Sequence, residues 1–111
     1  MVPEIVKNIY NCLDEKKAID IRVLDISSVS PIGDYFIIAS AGSTSQTDAL
    51  CEVVSETMHK SGFSMRGREG NSNSGWVLMD FGDIIVHIFS NQMREFYSLE
   101  HTWNDATVID L

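Results

Sequence analysis

One triplet in this sequence matches a known catalytic motif in its letters. Asp80-Phe81-Gly82 spells the magnesium-binding triplet of protein kinases. A kinase also needs a glycine-rich loop, a strand lysine and a catalytic loop, and a chain of 111 residues cannot hold them. A tight turn between two strands accounts for the Asp and the Gly without further assumptions. We therefore interpret residues 80–82 as a hairpin turn.

A second arrangement faintly resembles a nucleotidyltransferase site. Gly42-Ser43 is followed by Asp48, but that chemistry needs two or three carboxylates that converge on metal ions. The positions after Asp48 are Ala49 and Leu50, so the second carboxylate is missing. Asp48 is also predicted to lie in the first turn of a helix, where the helix dipole favours a negative charge. We favour that structural role over a metal site.

The histidines and cysteines do not form a catalytic or metal-binding pattern. His59, His87 and His101 fall on three different predicted elements, which predicts no metal site. His87 alternates with hydrophobic residues on one strand, as a hydrogen-bonded structural histidine does. Cys12 and Cys51 lack C-x-x-C spacing and are expected to be buried, reduced thiols. The phosphate-binding glycine motifs are absent too, and we expect neither a cofactor nor catalysis.

Composition limits the classes of partner. The formal net charge is -8, with 16 acidic and eight basic residues, so a broad basic surface for nucleic acid is not available. An acidic domain is suited to a basic partner. No apolar run approaches the roughly 20 residues of a membrane span, and no secretory signal is visible. We therefore expect a cytoplasmic protein that binds neither membranes nor, strongly, nucleic acid.

Hydrophobic periodicity predicts a single α/β domain of the α+β type over residues 1–111. The expected order is α-β-β-α-β-β-β-α, with a mixed sheet of about five strands packed by helices. Ser43-Thr44-Ser45-Gln46 has the form of a capping box, and Gly62 suits the end of the helix that follows. The predicted helices span residues 3–17, 43–61 and 91–101, and the predicted strands span residues 19–26, 35–40, 63–68, 76–80 and 83–89.

Aromatic side chains next to carboxylates suggest a binding surface. Asp34 and Tyr35 begin a central strand, and Trp76 begins the hairpin after a polar loop. Aromatic burial supplies binding energy and charge supplies selectivity at protein interfaces. Most of the phenylalanines are expected in the core, whereas a ring at Trp76 is easily left half exposed.

Several segments together resemble the Iojap family, whose bacterial members are the ribosomal silencing factors. The resemblance covers about residues 13–110 and is most specific in the tryptophan-to-histidine hairpin and the R-x-F-Y-x-L-E-x-x-W motif. The matching segments are Asp34 to Ile38, Glu69-Gly70, Trp76 to Phe89, Arg94 to Trp103 and Asn104 to Ala106.

The resemblance implies a fold, a partner and a mechanism. The family fold is similar to that of nucleotidyltransferases but lacks the catalytic carboxylates. Its members bind the large ribosomal subunit through ribosomal protein fourteen of that subunit and block the joining of the small subunit. They are also linked to large-subunit assembly, and the resemblance is compatible with a homodimer in the free state. A nucleotidyltransferase-like enzyme that binds nucleotides and a purely self-associating domain remain the alternatives.

The family pattern also implies a contact site. One departure concerns residues 41–46, where the family has a basic residue and this chain has none, so Ser45 and Gln46 are left out of the site. Carried over residue by residue, the expected partner-binding set is Asp34, Tyr35, Trp76, Leu78, Asp80, Phe81, Gly82 and Asp83, joined by Tyr97 and Glu100 from the last helix.

Overall fold

The computed structural model describes residues 3–28, 33–97 and 107–109, and this part of the chain forms three helices and six strands. The helices are α1 (Glu4–Glu15), α2 (Thr44–Lys60) and α3 (Asn91–Tyr97). The strands are β1 (Ile19–Asp25), β2 (Tyr35–Ala41), β3 (Gly67–Glu69), β4 (Trp76–Asp80), β5 (Ile84–Ser90) and β6 (Thr107–Ile109). The predicted element order is confirmed, with one strand more than expected after the last helix.

The six strands form one mixed sheet in the order β3-β4-β5-β2-β1-β6. β2 and β5 pair in parallel at the centre, and the other four pairings are antiparallel. The parallel pair requires a crossover, which α2 and the β3–β4 hairpin provide. Because both central strands are covered on both faces, their sequences are nearly continuous apolar runs. The prediction of a mixed α/β sheet domain is therefore confirmed.

Local sequence accounts for the buried face of α1 and for both ends of α2. In α1, Ile5, Ile9 and Leu13 recur at helical spacing and are buried. At the start of α2, the Ser43 hydroxyl accepts a hydrogen bond from the backbone N–H of Gln46 at 3.1 Å, which confirms the predicted N-cap. The same helix ends before Gly62, whose φ of +85° is accessible to glycine at little cost.

The sheet separates two hydrophobic layers. The larger layer lies between the sheet and α1 and α2, and it includes both cysteines as free thiols. Burial raises the pKa of Cys12 and Cys51, which keeps both thiols protonated, as expected for structural cysteines. The smaller layer lies on the opposite face of the sheet, the face on which α3 packs. Its buried members are Leu24, Ile26, Phe36, Ile38, Ile85 and Phe89.

A buried arginine of α3 bonds to side chains of β1 and β2 on the sheet face opposite α1 and α2. The Arg94 guanidinium donates to the Ser40 hydroxyl at 2.9 Å and approaches the Asp20 carboxylate at 3.4 Å. Asp20 has a positive φ of 49° at a register shift between Ile19 and Arg22 in β1. The irregularity places a carboxylate next to a desolvated cation, which needs such a partner.

Two local predictions need correction. α2 begins at Thr44, so Asp48 is the fifth helical residue and no acidic residue lies in the first turn. The Gln46 side chain also does not reach back to the N-cap residue. Its carbonyl oxygen accepts from the Gly42 N–H at 2.7 Å, and its amide donates to the Lys17 carbonyl at 2.9 Å.

In the described part of the chain, no helix is long and apolar enough to cross a membrane.

Candidate functional site

The candidate site lies on the sheet face opposite α1 and α2. Side chains alternate along β4, so Trp76, Leu78 and Asp80 share this face, whereas Val77 and Met79 enter the larger core. The three side chains that share the face are only partly buried. We refer to the surface formed by these three residues as the β4 face. The alternation confirms that Trp76 is half-buried, as its sequence context suggested.

An acidic end adjoins the β4 face, and we define it as Asp34, Asp80, Gly82 and Asp83 with the backbone of Tyr35. The Asp83 carbonyl accepts hydrogen bonds from the backbone N–H groups of Asp34 at 2.8 Å and Tyr35 at 3.0 Å. Because β2 and β5 are parallel, the start of β2 lies beside the turn that begins β5. The tertiary structure thus joins two predicted groups that are about 45 positions apart in sequence.

The turn in the acidic end has a defined shape. The Asp80 carboxylate accepts the backbone N–H of Gly82 at 2.8 Å, and Gly82 has a φ of +93°. A side-chain carboxylate bonded two residues ahead is the usual device of such turns. The Phe81 N–H also donates to the Ile84 carbonyl at 3.0 Å. These bonds hold the turn and leave Asp83 exposed beside Asp34.

Negative charge dominates the electrostatics of this end. Asp25 pairs with Tyr35 across β1 and β2, so three carboxylates, those of Asp25, Asp34 and Asp83, surround the start of β2. Partial burial raises the pKa of Tyr35, and the nearby charges of Asp25 and Asp34 raise it further. Hydrogen bonds from the Ser27 hydroxyl and backbone N–H lower the pKa of Asp25 and keep it ionised. The Arg66 guanidinium lies beside Gly82 and offsets part of this charge, so the acidic end keeps an excess of negative charge.

Behind Trp76 lies an ordered group of rings. The indole N–H of Trp76 donates to Nδ1 of His87 at 3.1 Å. The Trp76 and Phe89 ring centroids are 5.1 Å apart, and the Phe36 ring meets the His87 ring edge-on at 4.8 Å. His87 is only 3% exposed, and burial lowers its pKa from 6.5 to about 4, so it is neutral at physiological pH. The predicted structural role of His87 is confirmed.

A pocket of about 250 Å³ opens beside Trp76. The loop before β4 forms one side of the pocket and is held by its own hydrogen bonds. The Asn71 carboxamide oxygen accepts from the backbone N–H groups of Asn73 and Ser74. The Ser74 hydroxyl donates to the Trp76 carbonyl at 3.0 Å. The sequence interpretation did not include four of the lining residues, although Glu69-Gly70 had already stood out as a matching segment. The pocket is lined by Glu69, Gly70, Ser74, Trp76, Leu78 and Met93.

The predicted site residues fall into three groups. Asp34, Trp76, Leu78, Asp80, Gly82 and Asp83 lie on the β4 face or in the acidic end. Two predicted site residues face the larger core instead: Tyr35 packs against it, and Phe81, only 6% exposed, is part of it, so neither side chain adds to the β4 face. The structure describes the backbone of Tyr97 at the end of α3 but not its side chain, and Glu100 lies outside the described residues.

The segment that resembles a nucleotidyltransferase site, Gly42-Ser43 with Asp48, is organised around the Gln46 side chain. The Gln46 side chain bridges Gly42 and the end of α1, and Asp48 is exposed. Over residues 3–28, 33–97 and 107–109, no three His, Cys, Asp or Glu side chains converge in a way that could hold a metal ion.

Comparison with known proteins agrees with this fold and these motifs. The family model described as "Ribosomal silencing factor during starvation" matches residues 1–111. The chain belongs to the ribosomal silencing factor family. Membership implies that it regulates translation through the ribosome.

Individual relatives support the assignment over most of the chain. The ribosomal silencing factor of Bacillus subtilis is 37% identical over 98 residues, which cover 88% of this chain and 83% of that protein. The chloroplastic protein Iojap of Zea mays is 40% identical over 97 residues, covering 87% of this chain and 42% of that longer protein. The resemblance seen in the sequence is therefore confirmed.

Solved structures share the fold. A crystal structure of a protein from Chromobacterium violaceum superposes with a TM-score of 0.86 at 33% identity, covering 91% of this chain and 84% of that one. A crystal structure of a protein from Bacillus halodurans gives a TM-score of 0.84 at 30% identity, covering 97% and 98% of the two chains. The mixed sheet with its three helices is thus a fold that these proteins have in common.

Proposed function

We propose that this protein represses translation by docking the β4 face and the acidic end on the large ribosomal subunit, through ribosomal protein fourteen of that subunit. Docked there, it blocks the joining of the small subunit. It performs no catalysis, acts in the cytoplasm and also assists large-subunit assembly. The observation that carries the proposal is a single strand face that runs from the half-buried Trp76 through Leu78 to Asp80, which belongs to the acidic end, in a ribosomal silencing factor.

The negative net charge of the chain supports the proposal of a basic partner. The chain has a formal net charge of -8, and Asp34 and Asp83 are exposed at the acidic end. Opposed potentials steer two proteins together and discourage partners of the same charge. Ribosomal proteins are generally basic because they pack against RNA, which makes them suitable counterparts.

Aromatic burial supports a strong local contact. Trp76 and Leu78 are partly buried and line a pocket that a protruding partner side chain can fill. Large aromatic side chains near the centre of an interface account for much of the binding free energy. Because Trp76 is already held by His87 and stacked near Phe89, its ring loses little freedom on binding.

The size of the domain supports a steric mechanism. The molecule measures 33 × 32 × 25 Å, so any docked orientation leaves a body at least 25 Å thick on the subunit surface. Two subunit surfaces cannot meet across an obstacle of that thickness. A contact of about 800 Å² per partner suffices for stable docking.

The first test is co-sedimentation with isolated large subunits, with small subunits as the control. The wild-type protein should sediment with the large subunit alone. Trp76→Ala should weaken this binding by about 2 kcal/mol, or about 30-fold. Phe63→Ala is the matched control, since Phe63 is a partly exposed aromatic side chain (38%) outside the β4 face and should bind normally.

The steric step needs its own measurement. Light scattering should show slower joining of the small subunit when the large subunit is pre-incubated with wild-type protein, and normal joining with Trp76→Ala. Selective binding without any effect on joining would refute the blocking mechanism and leave the assembly role. If wild-type protein does not bind large subunits at micromolar concentration, the proposed partner is wrong.

The β4 face also supports self-association in the free state. A homodimer that buries Trp76 and Leu78 would cover the same surface as the ribosomal partner, so the two complexes would exclude each other. Sedimentation velocity at increasing protein concentration tests this. Dimers that persist in Trp76→Ala would place the dimer contact elsewhere.

A further inference from the structure

His87 lies buried behind the β4 face with one of its two ring nitrogens unsatisfied. Its Nδ1 accepts the indole N–H of Trp76 at 3.1 Å. Its Nε2 is buried and has no hydrogen-bond partner in the part of the chain that the structure describes. The ring is neutral, so it carries a single hydrogen. Since Nδ1 accepts, that hydrogen must be on Nε2, where it is a donor without an acceptor.

Such an arrangement is unfavourable for folding on its own. A buried donor that finds no acceptor loses its hydration without compensation. Among the described residues, two aromatic rings pack on it, since the Phe36 ring meets it edge-on and the Phe89 ring lies nearly parallel to it at 6.1 Å. A phenylalanine at position 87 would suit these neighbours without the unsatisfied nitrogen. The imidazole therefore has a role that packing does not explain.

The role that remains is the hydrogen bond to Trp76. An indole ring that rests only on apolar neighbours can rotate about its χ2 angle, whereas one whose N–H is bonded is fixed in one orientation. The two ring centroids are 5.9 Å apart with an interplanar angle of 30°, so the rings meet at their edges through this hydrogen bond. The same indole ring lines the open pocket beside Leu78.

We propose that His87 is a positioning residue that pre-orients the Trp76 indole for the ribosomal partner. This inference rests on the proposed function, because it assumes that Trp76 is part of the docking surface. His87 itself is too buried to touch a partner. It acts by removing the orientational freedom that Trp76 would otherwise lose on binding.

The wild-type protein provides the first test without any substitution. Nitrogen-15 NMR of the histidine ring should show the hydrogen of His87 on Nε2 and an accepting Nδ1. The indole N–H of Trp76 should exchange slowly with solvent. The opposite tautomer, or a rapidly exchanging indole N–H, would overturn the inference.

The second test compares two substitutions. His87→Phe keeps a ring of similar size and removes the acceptor, and we expect the affinity for the large subunit to fall roughly two- to tenfold, the usual value of one hydrogen bond. His87→Asn places a carboxamide oxygen near the position of Nδ1 and should recover part of the loss. Thermal unfolding of both variants checks that the fold is intact.

A double-mutant cycle separates positioning from a general structural effect. Trp76→Phe lacks the indole N–H, so His87→Phe should cause no further loss of affinity in that background. An equal loss in both backgrounds would show a structural effect and refute the positioning role, as would wild-type affinity for His87→Phe alone. If wild-type protein fails to bind the large subunit, it is the proposed function that fails, and the NMR result still reports on the His87–Trp76 pair.

Discussion

The burial of His87 makes the stability of this protein sensitive to acid. Burial lowers the pKa of His87 from 6.5 to about 4, so the folded protein resists protonation at this site. The unfolded chain accepts that proton near pH 6.5 and therefore binds more protons than the folded chain between pH 6.5 and pH 4. Stability should fall as the pH decreases through this window and should be unaffected by His87 above it.

The size of the effect follows from the same shift. A change from 6.5 to about 4 corresponds to about 3 kcal/mol over the whole window. Between about pH 7 and about pH 5 the expected loss is about 2 kcal/mol, since the folded form is still almost unprotonated at the lower value. Typical domains have only about 5–15 kcal/mol of stability, so the loss is readily measured.

The assay is urea unfolding at a series of pH values for three proteins. His87→Phe should lack about 2 kcal/mol of the pH dependence of the wild type between about pH 7 and about pH 5. His59→Gln is the matched control, because it removes an exposed histidine in place of the buried one. The hydrogen bonds from Ser27 lower the pKa of Asp25 from 3.8, so their contribution to stability is lost only below this pH window. Identical pH profiles for His87→Phe and wild type would refute the reasoning.

Two further predictions concern local structure. Gly70→Ala should destabilise the protein by at least about 2 kcal/mol in urea unfolding, because Gly70 has a φ of +81° and a Cβ would overlap the Trp76 carbonyl. Gly67→Ala, in open space on β3, is the control, and equal costs would disprove this account. Ser43→Ala should cost about 1 kcal/mol by removing the α2 N-cap, whereas Ser45→Ala should be nearly neutral. No difference between the two serine variants would show that the cap contributes nothing.

Local patterns in the sequence determined most of the elements. The Ser43–Gln46 cap and the alternation of Trp76, Val77 and Leu78 rest on hydrogen bonds or side-chain directions within a few residues. Such signals survive without knowledge of the rest of the fold. The same holds for β2, whose apolar run indicated a strand covered on both faces.

The contact set stays a prediction, and the burial of its members was only partly indicated by the sequence. Trp76 was correctly expected to be half-buried, but Phe81 was placed in the contact set and lies in the core. Phe81 continues the alternation of Val77 and Met79 toward the larger core, whereas its place in the contact set came from the family pattern. The role of Glu69 as a wall of the pocket depends on the β3–β4 pairing, which the sequence did not specify.

Long-range contacts were decided only by the tertiary structure. The sequence predicted neither the strand order nor the pairing of β6 with β1. It also did not predict that the Gln46 amide would donate to the Lys17 carbonyl, 29 positions away. Helix caps and strand alternation are set by neighbouring residues, whereas register and pairing are chosen by the best burial of the whole chain. For this reason the sequence alone identified the family and the elements, and only the folded sheet brought Asp34 beside Asp83.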